Sequence, residues 1–473
     1  MTEPAMRPTD PSSQHAPAHA PWRSEARASL SLTLHLLIGQ TALMSLPLAD
    51  LLSVASLGRH ALAAVGLVNS VAALLTLVCF GVLQAVAPLA GAALGRGGGP
   101  AVARKVVGDG LRIASGLGVL NSGLLLLFAV LLPGLGQEPE VARQAQHYAA
   151  ALAPGMLAAA WLAAWRVGLP VLGRVRSLSI TLSACAALHF AANHVLVHGM
   201  AGLPALGMAG LGWSYAVTYG TGVLVLHLLD RRPVPQGAGQ PHAPSSARAL
   251  LRIGLPIGAV MGIEYMLFTG STVLMGRHGS SALAAHAVAL QWVTLAFVIP
   301  LAASHTVLTR LSLAIGHADA DAARRSTAAA CVIAGVFHAL VAGAWLWVPE
   351  AFASALLPVP IRDRDDLVAT AAALLRVGAL LQALNGFVVV LAAVLRACRD
   401  TSAILWQVLF GYWVIGLGSA ALLGSMAGPA GIWWGMALGF GVALVLVLHR
   451  VRRRLTRLND VFQPTEEIHA QSR

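Results

Sequence analysis

GLPIGAVMGIEYMLF, residues 254–268, is an apolar run with a single carboxylate, Glu264, at its centre. A charged side chain at the middle of a spanning helix costs at least ~2.5–3.5 kcal/mol on insertion scales. A chain that keeps such a group uses it. One other carboxylate sits well inside an apolar run, Asp50 in LPLADLLSVASLG, residues 46–58. The remaining acids fall in tails, loops or segment ends. One intramembrane acid in each half of the chain reads as a proton- or ion-coupled membrane transporter.

Composition agrees. The chain has 473 residues, of which 57% are hydrophobic and 11% charged, and its mean hydropathy is +0.74. Soluble domains carry about 25% charged residues. A spanning helix needs roughly 20 apolar residues. Apolar spans are read near 29–56, 61–94, 111–135, 148–172, 179–198, 206–229, 252–276, 283–310, 328–349, 367–395, 403–425 and 430–449. The expected fold is an all-α integral membrane protein. Its twelve transmembrane helices form two pseudo-symmetric six-helix bundles around a central cleft. Cys79, Cys185, Cys331 and Cys398 lie in apolar runs or at their ends, with neither metal-ligand nor disulfide spacing.

The long polar break is DRRPVPQGAGQPHAPSSAR, from Asp230 to Arg248, whose Pro, Gly and Ser mark a linker. It divides the chain into a disordered cytoplasmic tail (1–28), a first six-helix lobe (29–229), a cytoplasmic linker (230–249), a second lobe (250–450) and a basic cytoplasmic tail (451–473). The halves repeat. ALAA at 61–64 recurs at 282–285, and the same offset of 221 maps Gly58 to Gly279, Gly95 to Gly316 and Arg104 to Arg325. Six spans is an even number, so both halves start on one face and the repeat is parallel.

Orientation follows from the basic residues, which favour the cytoplasmic side. With the N-terminus cytoplasmic, Arg59, Arg143, Arg277, Arg362 and Arg364 lie outside. Arg166 and Arg376 lie within spans, and the rest of the 31 Lys+Arg fall inside. This topology accounts for the net charge of +12 without a nucleic-acid partner. The expected setting is a bacterial inner membrane, with both termini cytoplasmic, lipids and amphiphilic small molecules as partners, and a monomeric protein.

Burial penalises the Glu264 anion, so this carboxyl can take up a proton near neutral pH or balance a cationic substrate. The competing structural reading is an ion pair with Arg376, which lies at a similar depth, about 14–18 Å from the outer surface at 1.5 Å per residue. Asp50 is nearer the outer end of its span, where snorkelling or capping competes with a coupling role. Pro47 removes a hydrogen bond to the carbonyl of Leu43 and kinks the helix beside it. Gln40, Asn69, Asn193, Gln291, Gln382 and Asn385 are candidates to line the cavity, with interhelical hydrogen bonding as the alternative. Tyr265 and Phe268 can hold an apolar cation, and ordinary packing competes here too. His286 reads as a satisfied core histidine. No phosphate loop or HExxH helix is present, so the chain is not read as an enzyme and needs no cofactor.

Several motifs resemble one family. LADLLSVASLGRHALAAVGL (48–67), GLPIG (254–258) followed by Glu264, and LMGRHGSSALAAHAVAL (274–290) are similar to the first, seventh and eighth spans of the multidrug and toxic compound extrusion (MATE) family. LGQEPEVA (135–142), LGMAGLGWS (206–214), VLRACRDTSA (394–403) and YWVIGL (412–417) resemble further parts of it. The likeness runs from about 35 to 450, and the seventh-span glutamate points to the bacterial NorM-like branch. It implies export of organic cations and amphiphilic toxicants in exchange for protons or sodium, with Asp50 and Glu264 at the ion-coupling positions. The chain departs from the pattern in the tenth span. Asn385 stands where an aspartate is usual and Leu381 where a tyrosine is usual, while Gln382 matches. The paired fifth-span asparagines are His189 and Asn193. A site short of a carboxylate and a phenol favours protons over sodium, which needs several oxygen ligands at once. The alternatives are a lipid-linked precursor or polysaccharide flippase of the same superfamily, and a non-transporting receptor or scaffold.

Overall fold

The computed structural model describes residues 22–55, 57–135, 137–200, 202, 204–230, 246–356 and 364–462. Among the described residues, nine helical segments are long and apolar enough to cross a membrane. Two of them double back at glycines with left-handed torsions, Gly97 (φ 78°) and Gly428 (φ 68°). With Gly207–Asp230, this makes twelve spans.

The first lobe comprises α1 (Trp22–Met44 and Leu46–Ala55), α2 (Arg59–Leu83 and Val86–Ala93), α3 (Gly99–Leu131), α4 (Pro139–Val171), α5 (Val175–His198) and α6 (Gly207–Asp230). The second comprises α7 (Ala247–Gly276), α8 (Ser280–Ala296 and Val298–Gly316), α9 (Ala320–Trp347), α10 (Arg364–Ala397), α11 (Thr401–Val408 and on to Gly428) and α12 (429–462), with a short helix Pro349–Ala355 after α9. Here the terminal face means the side where α1 starts and α12 ends; the far face is opposite. The break in α1 falls at Ser45, where Pro47 leaves the Leu43 carbonyl without its donor.

The tails differ from expectation. Residues 22–28 are helical, because Glu25 docks on the second lobe, and α12 continues as a helix to Phe462. Residues 1–21, 231–245 and 463–473, with most of the expected linker and tails, lie outside the described residues.

The repeat is visible in the backbone. Gly58 (φ 95°, ψ 179°) precedes α2 and Gly279 (φ 96°, ψ 170°) precedes α8, and each carbonyl accepts from the amide four residues on, at 3.1 Å in both lobes. Gly97 corresponds to Ala318, which holds φ 56° without being glycine. Repeat-related residues also meet. A Cβ on Gly95 would lie 2.6 Å from the Gly316 Cα, and one on Gly316 would lie 2.7 Å from the Gly95 Cα. The pseudo-two-fold axis passes between them. Along α7, Gly254 and Gly258 seat against the backbone of Val82 and Val78 on α2. Small residues let helix backbones approach this closely.

This seam joins the lobes from mid-depth to the terminal face. Tyr265 donates to the Ser70 carbonyl (3.2 Å), Arg396 to Gln84 Oε1 (2.8 Å), and Thr33 and Thr306 share a hydrogen bond (2.8 Å). At the terminal end Arg310 grips Glu25 with two bonds, 2.7 and 2.5 Å, and Ser326 adds a third at 2.7 Å. Beyond Tyr265 the far-face part of α1 packs on α5 and α6, and the first part of α8 packs on α7 and α10, each within its own lobe. The cleft therefore opens on the far face.

An L-residue in the left-handed region costs roughly 1–2 kcal/mol, partly offset by the extra unfolded-state freedom of glycine. Ala318→Gly should raise the stability of the purified protein by about 0.5–1 kcal/mol, read as a higher thermal midpoint. Gly97→Ala should lower it.

Candidate functional site

Asp50 is buried, 1% exposed, where α1, α5 and α6 meet. Its Oδ2 accepts from the Tyr215 hydroxyl (2.6 Å); its Oδ1 accepts from Asn193 Nδ2 (3.0 Å) and lies 2.9 Å from His189 Nε2. Ser214 donates to Asn193 Oδ1 and so orients the amide, and His189 Nδ1 faces Thr218 Oγ1 at 3.1 Å. Tyr148 donates to Asn69 Oδ1 at 2.7 Å, which closes the cage from α4 and α2. Snorkelling is thereby excluded for Asp50.

Glu264 is half-buried in the second lobe. Asn385 Nδ2 donates to its Oε1 (3.2 Å), and the Tyr412 hydroxyl donates to Asn385 Oδ1 (3.2 Å). Tyr412 lies in a stretch of wider π-helical turns, Leu409–Leu417, of the kind that recurs at functional sites. The phenol missing at Leu381 is thus supplied by another helix. Gln382, beside Asn385, is fully buried, and neither of its amide atoms has a hydrogen-bond partner among the described residues.

The expected Glu264–Arg376 pair does not form. Arg376 binds Glu350, on the short helix Pro349–Ala355, at 2.6 Å, and both side chains are about half exposed. Similar depth along a helix does not bring two side chains together; the face they project from decides. The backbone N–H of Glu350 holds its carboxyl below the ordinary carboxylate range; burial opposes this and Arg376 adds to it.

The other candidates divide. Asn193 is fully buried as an Asp50 donor instead of lining the cleft. Gln40 accepts from Arg166 Nη2 (2.7 Å), whose guanidinium lies over the Phe80 ring at 4.5 Å. Gln291 is exposed on α8, Tyr265 bridges the lobes, and Phe268 packs against Phe440. His286 is satisfied by Thr272 and Trp433, as expected. Tyr215, Thr218, Tyr412, Arg396 and Gln84 were not anticipated. Tyr412 opens the quoted motif YWVIGL and Tyr215 follows LGMAGLGWS, so a polar residue beside each motif was the available signal.

A family model described as MatE matches residues 36–195 and 256–422, one stretch in each lobe. The chain belongs to the MatE family. Members are membrane transporters and not enzymes, which also removes the receptor and scaffold readings. A probable multidrug resistance protein NorM of Pseudomonas aeruginosa is 32% identical over 438 residues, covering 89% of this chain and 88% of the relative. Its namesake in Deinococcus radiodurans is 30% identical over 426 residues, covering 89% and 93%. A solved outward-facing multidrug resistance MATE transporter superposes with TM-score 0.82 at 19% identity, over 92% of this chain and 97% of that one. A eukaryotic MATE transporter, AtDTX14, gives 0.78 at 19% identity, over 93% and 100%. At these identities the structures speak for the fold: twelve helices in two lobes around a cleft.

Hydrogen bonds to a charged group contribute about 1.5–3 kcal/mol, whereas exposed ion pairs contribute 0 to about 1 kcal/mol. Tyr215→Phe should therefore destabilise the protein by about 1.5–3 kcal/mol and Arg376→Ala by less than about 1 kcal/mol, compared by thermal unfolding in detergent.

Proposed function

We propose that this transporter is a secondary active multidrug exporter of a bacterial inner membrane, exchanging amphiphilic organic cations for protons. Glu264 and Asp50 carry the coupling, and the protein works as a monomer without a cofactor. The observation that carries this reading is one carboxylate inside each lobe, held by neutral donors and, for Asp50, a histidine. Among the described residues neither makes an ion pair with arginine or lysine. A carboxylate locked to a guanidinium is already neutralised; a cluster without such a pair can take up a proton or meet a cationic substrate without first breaking an ion pair.

The arginine distribution supports cytoplasmic termini. The cleft then opens outward, and Glu25–Arg310 closes the cytoplasmic side. The cleft is also poorly suited to a lipid-linked diphosphate. Arg166 and Arg396 are engaged by Gln40 and Gln84 in the seam, and Arg376 is bound to Glu350. Tyr412 and Asn385 bring oxygens close to Glu264, which favours sodium as a second reading. Protons remain the first choice because this cluster has one carboxylate, and a cation that sheds its water needs several strong oxygen ligands at once.

The test is drug efflux from energy-depleted cells with proton and sodium gradients imposed separately. Export should follow the pH gradient, be indifferent to sodium, and be lost in Glu264→Gln, whose amide keeps the size but cannot titrate. Asn385→Asp should add sodium dependence. A sodium requirement of the unmodified protein at fixed pH would overturn the choice of ion, and wild-type efflux by Glu264→Gln would overturn the role of Glu264.

A further inference from the structure

We propose that the exchangeable proton of the first lobe is carried by the imidazole of His189, with Asp50 remaining ionised as its counter-charge. This deepens the proton-coupled reading of the same site by moving the proton from the carboxyl to a neighbouring ring.

The donor inventory leads to it. Asp50 receives three hydrogen bonds. Asn193 Nδ2 can only donate, because an amide nitrogen has no acceptor site and Asn193 Oδ1 is held by Ser214; the Tyr215 hydroxyl donates to Oδ2, its one hydrogen bond among those described. The third partner, His189 Nε2 at 2.9 Å, completes the set when it carries its hydrogen. Three donors on one carboxylate stabilise its ionised form, whereas a proton added to the carboxyl would displace one of them. With Nε2 protonated, the variable atom is Nδ1.

Nδ1 faces a group that serves either state. Thr218 Oγ1, 3.1 Å away, can donate to a bare Nδ1 or accept from a protonated one. Thr181, Thr306 and Thr309 commit their hydroxyls to carbonyls four residues back. The hydrogen bond described for the Thr218 hydroxyl is instead the one to His189. Proton uptake then needs a turn of one hydroxyl: a proton from water bonds to Nδ1, the Thr218 hydrogen swings away, and the His189–Asp50 contact stays. The ring is held for this by the edge-on Tyr215 ring, 4.7 Å between centroids. Among the described residues, the other titratable groups turned toward the pair are Tyr148 on α4, Tyr215 and Tyr219 on α6, and Cys185 on α5, whose thiol donates to the Thr218 carbonyl. All are phenols or a thiol, so the imidazole is the basic group of the cage. Uptake turns a net negative pair into a neutral one in a buried site, which is the change that desolvation favours.

The full chain in lipid nanodiscs, in a Glu264→Gln background that removes the other intramembrane carboxyl, allows a test that needs neither drug nor gradient. Infrared difference spectra between alkaline and acid pH report protonated carboxyls, and nitrogen-15 resonances of labelled histidine report imidazolium. Acidification should produce an imidazolium signal that is absent in His189→Asn, with no protonated-carboxyl band that disappears in Asp50→Asn. His189→Asn should instead show an Asp50 carboxyl band on acidification, because the basic ring is gone. A carboxyl band in the unsubstituted site that is lost in Asp50→Asn, or a His189 ring that stays neutral throughout, would overturn the proposal. Since no transport is measured, failure here leaves the choice of driving ion untouched, and a sodium-driven result in the efflux assay leaves the proton's position untouched.

Discussion

A polar group inside hydrocarbon has no water to fall back on, and every feature of this molecule follows from how that debt is met. The two intramembrane carboxylates are each surrounded by groups from several helices: Asp50 by α5 and α6 side chains, Glu264 by α10 and, through Asn385, α11. The buried arginines follow the same rule with neutral partners. Arg166 rests on Gln40 and the Phe80 ring, and Arg396 on Gln84. Charges satisfied by amides, hydroxyls and rings are held more loosely than charges locked to each other. A transporter needs this, since its ions and substrate must come and go.

The seam between the lobes obeys a related constraint. A hinge that opens and closes in lipid cannot rest on large interlocked side chains, and here glycines on α7 and α8 lie directly against α2. Gly95 and Gly316 meet across the pseudo-two-fold axis, so backbone touches backbone at the point their symmetry relates to itself. Among the described residues, the ion pair spanning the lobes is Glu25–Arg310, at the terminal end, where water can reach the partners once they separate. The lobes thus part along a line of small contacts with one electrostatic latch at its edge.

Much of this was legible in the amino-acid order. The two acids stand out because nothing like them interrupts the neighbouring spans. The repeat offset marked Gly58 and Gly279, whose φ angles are 95° and 96° and ψ angles 179° and 170°, and Gly95 and Gly316, which touch. The break beside Pro47 was read from the lost donor. What could not be read was rotation about helix axes. Depth placed Arg376 level with Glu264, yet it projects toward Glu350. The same gap hid Tyr412, which restores from α11 the phenol absent at Leu381, and turned Asn193 from a cleft residue into a support for Asp50. These contacts join residues far apart in the chain, and a single sequence carries no signal for such pairings.

If one protonatable group in each lobe exchanges protons against a cationic substrate at one cleft, the coupling must run in both directions. The most direct measurement loads purified protein into sealed vesicles with a pH dye in the lumen, no pH or sodium gradient, and a drug gradient as the only driving force. The expected result is a lumenal pH change with the sign of counter-movement, unaffected by replacing sodium with choline and absent in the Asp50→Asn, Glu264→Gln double variant. Drug flux that proceeds at the same rate with no proton movement would contradict proton exchange at these sites.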